Sequence, residues 1–179
     1  MGSDIVPRLA AYVTSLAALH ALTNGETDEA ARLYRSLSDP GNSFPIPAET
    51  IVDAHLGLGN IASGSGDFLE ARNHYLEAAP MRSENEFRRL YNLGNVEYRL
   101  GESASSDANR ILLWLSAIGR YEDALAWHED TETRENLEFV KRKLEDLAQT
   151  SKPENQTEGR DPQQGSPNES QGDSPTEQQ

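Results

Sequence analysis

The 179-residue chain contains no cysteine, and both basic and hydrophobic residues are scarce in it. Without cysteine it forms no disulfide, thiolate zinc site, iron–sulfur cluster or cysteine nucleophile. Acidic residues outnumber basic ones by 30 to 16, for a net charge of −14. This charge argues against nucleic-acid binding, because a nucleic-acid binder needs a cationic surface. The hydrophobic fraction of 36% is low for a globular protein, so its distribution along the chain matters.

Hydrophobic residues are missing from the last part of the chain. The segment from Ser151 to Gln179 contains no alanine, valine, isoleucine, leucine, methionine, phenylalanine, tryptophan or tyrosine. Glutamine, serine and acidic residues are frequent in it. Such a segment cannot bury enough apolar surface to offset its chain entropy. We expect residues 150–179 to be a disordered acidic tail and residues 4–149 to form one domain. Residues 1–3, Met-Gly-Ser, are expected to be a cloning remnant.

No segment of the sequence is predicted to span a membrane. The longest apolar-rich run, Leu9 to Leu22, is shorter than a bilayer span, and it contains Thr14 and His20. As an export signal it has Arg8 as its only basic residue and lacks a convincing cleavage site. The localisation stays open on this basis.

The first 150 residues favour helices. Ala, Leu, Glu and Arg dominate, alternating β-branched runs are absent, and apolar residues recur at three- and four-residue spacing. This spacing occurs in Ile5–Leu22, Ile51–Ala62, Phe87–Leu100, Ile111–Trp127 and Leu137–Leu147. Gly25, Gly66 and Gly101 are expected to mark turns between helices. The sequence therefore predicts an all-α fold.

One motif repeats within this helical part. Leu58-Gly59-Asn60 and Leu93-Gly94-Asn95 lie 35 residues apart. In three places a small residue precedes a tyrosine by four positions: Ala30 and Tyr34, Ala71 and Tyr75, Ala117 and Tyr121. Repetition at such a period is typical of stacked helical repeats, in which small residues let neighbouring backbones approach closely.

The pattern resembles the tetratricopeptide repeat (TPR), a helix–turn–helix unit of 34 residues. The resemblance implies antiparallel helix pairs that stack as a short right-handed solenoid. We expect three repeat units, at about residues 4–40, 48–82 and 86–128, followed by a capping helix at about 133–149. The third unit has an insertion near 102–112, with Asp107 as the expected N-cap of a lengthened helix.

The end of the domain carries a narrower resemblance. The segment from Tyr91 to Gly101, the helix with Ala124-Leu125, the segment 135–147 and the tail are similar to the TPR proteins of bacterial Bat (aerotolerance) clusters. This resemblance implies a scaffold in the periplasm or at the membrane that accompanies von Willebrand factor A-domain proteins. It also implies that an export signal has been removed from such a chain.

In TPR proteins the first helix of each unit lines a concave groove that binds a partner segment. The resemblance assigns eight groove residues: Leu56, Asn60, Arg88, Tyr91, Asn92, Asn95, Tyr98 and Arg99. The same helix faces carry Asp53 and Ser63 in the second unit and Tyr12, Ser15, Leu19 and Leu22 in the first. Arg82, Arg88, Arg89 and Arg99 are expected to form a basic patch, which favours an acidic protein or peptide partner. The alternative is that these are solvated residues with weak Arg–Glu pairs.

Other motifs favour structural roles. Residues 57–62 read G-x-G-x-x-A, but no strand precedes them, so helix packing is favoured over nucleotide binding. The four histidines, His20, His55, His74 and His128, are expected to be surface or packing residues that bind no metal. No catalytic constellation and no cofactor is predicted.

The two tryptophans, Trp114 and Trp127, are expected to seal the lengthened helix against the capping helix. The alternative is a second interface built on Trp114 and Arg110. Together these observations favour a non-enzymatic protein–protein interaction scaffold. The alternative function is an accessory ligand- or client-binding subunit of a transporter or an enzyme.

Overall fold

The computed structural model describes residues 5–42, 45–78 and 84–150. Over these ranges it contains seven α-helices and no strand. The helices are α1 (Ile5–Thr23), α2 (Thr27–Ser38), α3 (Ala48–Ser65), α4 (Phe68–Glu77), α5 (Glu84–Glu102), α6 (Asp107–Trp127) and α7 (Thr131–Thr150). The all-α prediction is confirmed for this part of the chain. The expected remnant, Arg82 and the tail beyond residue 150 lie outside the described residues.

Each helix packs against the next helix in the sequence. Gly25 and Gly66 have φ of 79° and 85°, the left-handed conformation in which a side chain is strained. The Gly66 N–H bonds to carbonyls of the last turn of α3, and the Asp67 carboxylate then accepts the Glu70 N–H of α4. The predicted turns at Gly25 and Gly66 are therefore confirmed. The one predicted at Gly101 is wrong, because Gly101 is helical and α5 ends one residue later, at Glu102.

The N-cap of α6 differs from the prediction by one residue. The hydroxyl of Ser106 accepts the backbone N–H of Asn109, so Ser106 is the N-cap and Asp107 lies in the first turn. Ser106 has the extended backbone that a cap needs, whereas Asp107 is already helical. The carboxylate of Asp107 pairs instead with Arg110, one turn further on.

Four glycines inside helices each lie directly against an aromatic ring of another helix. A Cβ atom would come within 2.6 Å of the Tyr75 ring at Gly59 and within 2.7 Å of the Tyr121 ring at Gly94. The same contact joins Gly57 to Tyr34 and Gly101 to Trp114. These distances leave no room for a side chain, so each glycine sets how closely two helices approach. Gly57 and Gly59 are thus helix-packing residues, as the sequence predicts for the G-x-G-x-x-A segment.

The core is built from alanines that surround these rings. Its buried members form three clusters along the chain, one between α1, α2 and α3, one between α3, α4 and α5, and one between α6 and α7. Ala18, Ala30, Ala54, Ala71, Ala78, Ala117 and Ala124 are all fully buried. Small side chains at these positions allow the close helix contacts that the aromatic rings then fill.

One carboxylate is completely buried between three helices. Glu97 of α5 is 0% exposed, and it accepts hydrogen bonds from Arg72 Nε of α4 at 3.0 Å and from Ser116 Oγ of α6 at 2.6 Å. Arg120 Nε lies 3.5 Å from the same carboxylate. A buried charge is tolerated only when it is paired in this way, so Glu97 fixes α5 relative to α4 and α6.

The glycine contacts predict that replacing a helix glycine by alanine changes the free energy of unfolding in opposite directions at two positions. Gly94→Ala should lower the free energy of unfolding by about 1–3 kcal/mol, because the new methyl group collides with Tyr121. Gly119→Ala in the middle of α6 should raise it by about 0.5–1 kcal/mol, since no atom lies within 4 Å of a Cβ there. Urea unfolding of both variants measures the difference. Equal effects at the two sites would show that the ring contact does not limit packing.

Candidate functional site

An open cavity of about 700 Å³ lies between α1, α3 and α5. Of the eight groove residues predicted from the sequence, the five that line it are Leu56, Asn60, Arg88, Tyr91 and Asn92. Tyr12, Ser15, Leu19 and Asp53, which belong to the same predicted helix faces, also line it. Side chains that are far apart in the sequence are thus brought to one surface. Leu22 and Ser63 are exceptions, since neither lines the cavity and Leu22 packs against the first core cluster.

Sequence reasoning missed four residues of the cavity wall, Leu16, Tyr34, Gly57 and Asn85. Leu16 and Asn85 stand one turn from predicted residues of α1 and α5, so a wider stripe of each helix would have included them. Tyr34 enters from α2 because Gly57 leaves space for its ring. No pattern within α2 signals that contact, since it depends on how α2 and α3 cross.

The wall that α1 contributes is apolar and unusually exposed. Tyr12, Leu16 and Leu19 are 66%, 55% and 54% exposed, and Ile5, Val6, Leu9 and Val13 continue the apolar surface. Contiguous exposed apolar surface of this kind marks interaction sites. Among the described residues, α1 is also the one helix that is long and apolar enough, by length and composition, to cross a membrane. It begins at Ile5, four residues before the run that the sequence suggested.

The opposite wall is polar. Asp53 of α3 accepts a hydrogen bond of 3.1 Å from the Asn85 amide of α5. Burial raises the pKa of Asp53, an effect that the hydrogen bond from Asn85 opposes. Arg88 is exposed, and it has no ion-pair partner among the described side chains. A guanidinium in this state is free to bind a carboxylate of a bound molecule.

The two asparagines of the repeated triplets bond within the protein. The Asn60 side-chain oxygen accepts from the Tyr75 hydroxyl at 2.7 Å and from the Asn92 amide at 3.0 Å. The Asn95 oxygen accepts from the Tyr121 hydroxyl at 2.7 Å and from the Asn136 amide at 3.3 Å. In both cases one asparagine links its own helix to the next two helices along the chain.

These bonds change the interpretation of the predicted asparagines. The oxygens of Asn60 and Asn95 already accept two hydrogen bonds each, so they are not open acceptors for a partner backbone. Asn95 moreover does not line the cavity, whereas Asn60 and Asn92 do. Asn136, the counterpart of Asn92, was missed because it follows Asn95 by 41 residues rather than by 32.

Tyr98 and Arg99 also lie away from the cavity wall. The Tyr98 hydroxyl donates to Glu102 at 2.7 Å, and its ring stacks on Trp114 at 5.9 Å. Burial and the neighbouring Glu102 carboxylate raise the pKa of Tyr98 to about 12. Arg99 pairs with Glu102 at 2.9 Å and lies over the Phe68 ring. Both residues contact side chains of their own domain.

The predicted basic patch does not form among the described residues. Arg89 is 7% exposed, because its guanidinium pairs with the buried Glu86 and donates to the Tyr75 carbonyl near the end of α4. Arg99 is neutralised by Glu102. Arg82 lies outside the described residues, which leaves Arg88 at the cavity.

The tryptophans differ from each other in burial. Trp114 is 6% exposed and packs with Leu137 and Val140 of α7, in agreement with a sealing role. Trp127 is 50% exposed, so the prediction that it also seals the helix is wrong. Arg110 is held by Asp107 and donates to the Ala104 carbonyl at 3.2 Å. An interface at this end would have to use neighbours of Trp114 rather than its ring.

The histidines depart from expectation at one place. His55 Nδ1 of α3 lies 3.2 Å from His74 Nδ1 of α4 and 3.2 Å from the Glu77 carboxylate. The structure thus groups two histidines, which the sequence predicts to bind no metal, with a carboxylate. The H-x-x-E spacing of His74 and Glu77 was a usable signal, whereas His55 joins them only because α3 packs on α4.

The buried tyrosine network gives a prediction for alkaline pH. Burial, opposed by the Asn92 amide, raises the pKa of Tyr75 to about 12. Between pH 10 and 12 the unfolded chain loses this proton while the folded chain keeps it, so stability falls as the pH rises. Tyr75→Phe should therefore make the fall in unfolding free energy shallower by about 1.4 kcal/mol per pH unit. Urea unfolding at several pH values tests this, and an unchanged slope would contradict it.

Comparison with known proteins gives no relative from which a function could be inferred, so the proposal below is based on the geometry of the cavity. No family model matches the chain, and no curated protein resembles it at a significant level.

Proposed function

We propose that the chain is a non-enzymatic interaction module that binds a segment of a partner protein in the cavity between α1, α3 and α5. The observation that carries this proposal is the convergence of residues from three separate helices on one open cavity of about 700 Å³. The cavity combines an exposed apolar wall with a polar wall. This combination suits an amphipathic peptide, since apolar side chains supply affinity and polar groups fix orientation.

We further propose that the helix pairs stack as a short right-handed TPR-like solenoid, with α7 as its capping helix. The repeated contacts support this architecture. Gly59, Asn60 and Tyr75 make the same set of contacts as Gly94, Asn95 and Tyr121. Equivalent contacts at equivalent positions are what a repeat array produces, because each unit packs on its neighbour in the same way.

The chemistry of the partner follows from the two walls. Leucine and tyrosine side chains of α1 favour aliphatic or aromatic residues, and the Arg88 guanidinium favours a carboxylate. The acidic-partner proposal therefore depends on Arg88 alone rather than on a stripe of arginines. The partner segment that fits best has an apolar face and an acidic residue on its other side.

A narrower proposal names the setting. The similarity of the α5–α7 sequence to Bat-cluster TPR proteins supports a scaffold in the periplasm or at the bacterial membrane, beside a von Willebrand factor A-domain protein. The exposed apolar α1 is compatible with this setting, because a surface of that kind needs a protein or lipid neighbour.

A second candidate function is that of an accessory subunit that binds a small ligand or client. The cavity volume favours it, since small-molecule sites commonly span about 300–1,000 Å³. The exposure of the α1 wall argues for the peptide instead, because a small-molecule site buries most of its ligand.

Peptide selection tests the proposal without a known partner. A random peptide library displayed on phage is selected against the full chain, and the peptides are then titrated against variants. Leu19→Asn and Arg88→Glu should each weaken binding by about tenfold or more, because they remove the apolar and the cationic contact, equivalent to about 1.4 kcal/mol.

Matched controls lie outside the cavity. Leu115→Asn changes a leucine of α6 that is 49% exposed, and Arg142→Glu reverses an exposed arginine of α7. Both should leave the affinity within about twofold. If the selected peptides bind the Leu19 and Arg88 variants as tightly as the unaltered chain, the cavity is not the binding site.

A further inference from the structure

We propose that His55, His74 and Glu77 form a binding site for a divalent transition metal ion, Zn²⁺ being the best fit, that links α3 to α4. Each of the three side chains offers one donor atom, and these atoms all lie within 4.8 Å of one another, close enough to contact one ion at a common point. None of the three lines the cavity between α1, α3 and α5. The site is therefore separate from the proposed peptide site.

The distances between the donors match one face of a coordination tetrahedron. His55 Nδ1 is 3.2 Å from both His74 Nδ1 and Glu77 Oε2, and His74 Nδ1 is 3.7 Å from that oxygen. Metal–ligand bonds of about 2.0–2.1 Å in tetrahedral geometry place neighbouring donors about 3.3–3.4 Å apart. The three separations lie around this value, so a zinc ion fits with small side-chain adjustments.

The cluster brings three atoms together that can each offer an electron pair. An imidazole nitrogen without its proton and a carboxylate oxygen both present lone pairs, which repel one another unless a proton or a cation lies between them. Protonating both Nδ1 atoms would instead bring two N–H groups against each other at 3.2 Å. One cation at the common point satisfies all three donors at once.

Glu70 lies next to this cluster. Its carboxylate is 3.7 Å from His74 Nε2, the other nitrogen of that ring. This distance is too long for a hydrogen bond, so Glu70 adds negative charge near the site without fixing the position of a proton on the ring. Arg35 of α2 lies 3.9 Å from the same carboxylate.

The three side chains differ in exposure. Those of His55 and His74 are 14% and 18% exposed, while that of Glu77 is 60% exposed. The exposed side at Glu77 gives an ion a path from solvent, and water can complete the coordination.

The donor set also selects the class of metal. Two imidazole nitrogens and one carboxylate suit zinc and its transition-metal neighbours, whereas Mg²⁺ and Ca²⁺ require oxygen ligands. Because the ligands come from two helices, the bound ion would cross-link α3 and α4. It would stabilise the folded chain in proportion to its concentration.

Metal titration of the full chain, untagged and stripped with EDTA, tests the site. Isothermal titration calorimetry with Zn²⁺ should show one saturable site, and Mg²⁺ should show none. At about 100 times the dissociation constant, Zn²⁺ should raise Tm by about 5–10 °C. Co²⁺ in place of Zn²⁺ should give the intense visible absorption of four-coordinate rather than six-coordinate cobalt.

The variants and their controls separate the site from surface binding. His55→Gln, His74→Gln and Glu77→Gln should each weaken Zn²⁺ binding by about tenfold or more. His20→Gln and Glu145→Gln, which change the same residue types elsewhere, should not. Circular dichroism without metal verifies that every variant folds. No stoichiometric binding, or binding that survives in the three site variants, would overturn the proposal.

Discussion

The contact between a helix glycine and a tyrosine of the following helix is the constraint on which the rest of the structure depends. At Gly59 and Gly94 the ring occupies the space that a Cβ atom would need. The ring then extends across the helix, and its hydroxyl reaches the asparagine that directly follows the glycine. One Leu-Gly-Asn triplet thus provides the core leucine, the close approach and the partner for a buried hydroxyl.

This arrangement also determines what is left for binding. Most of the polar groups that a sequence pattern assigns to a groove are used to hold helices together, as Asn60 and Asn95 illustrate. Arginines in an acidic domain find carboxylates nearby, so they pair internally before they meet a partner. The groups left in the cavity are the apolar surface of α1 and the guanidinium of Arg88, and the proposed specificity for a partner depends on these two.

The two proposed sites differ in chemistry and share one helix, α3, of which they use different faces. The face of α3 that carries Asp53 and Leu56 lines the cavity, whereas His55 turns toward α4. Successive helix residues point about 100° apart, so neighbours in the sequence serve separate surfaces. A substitution in one of the two proposed sites is therefore expected to leave binding at the other unchanged. A metal ion between α3 and α4 would rigidify one wall of the cavity without entering it.

The sequence by itself determined the helices, the turns at Gly25 and Gly66, and most residues of the cavity wall. Those features follow from local rules, namely the spacing of apolar residues, the backbone freedom of glycine and the repeat of one triplet. Only the tertiary structure decided that the triplet asparagines bond internally, that Arg89 is buried and that His55 meets His74. The physical reason is that these contacts join different helices. Which side chains meet across two helices depends on their crossing and rotation, and the spacing within one helix carries no information about either.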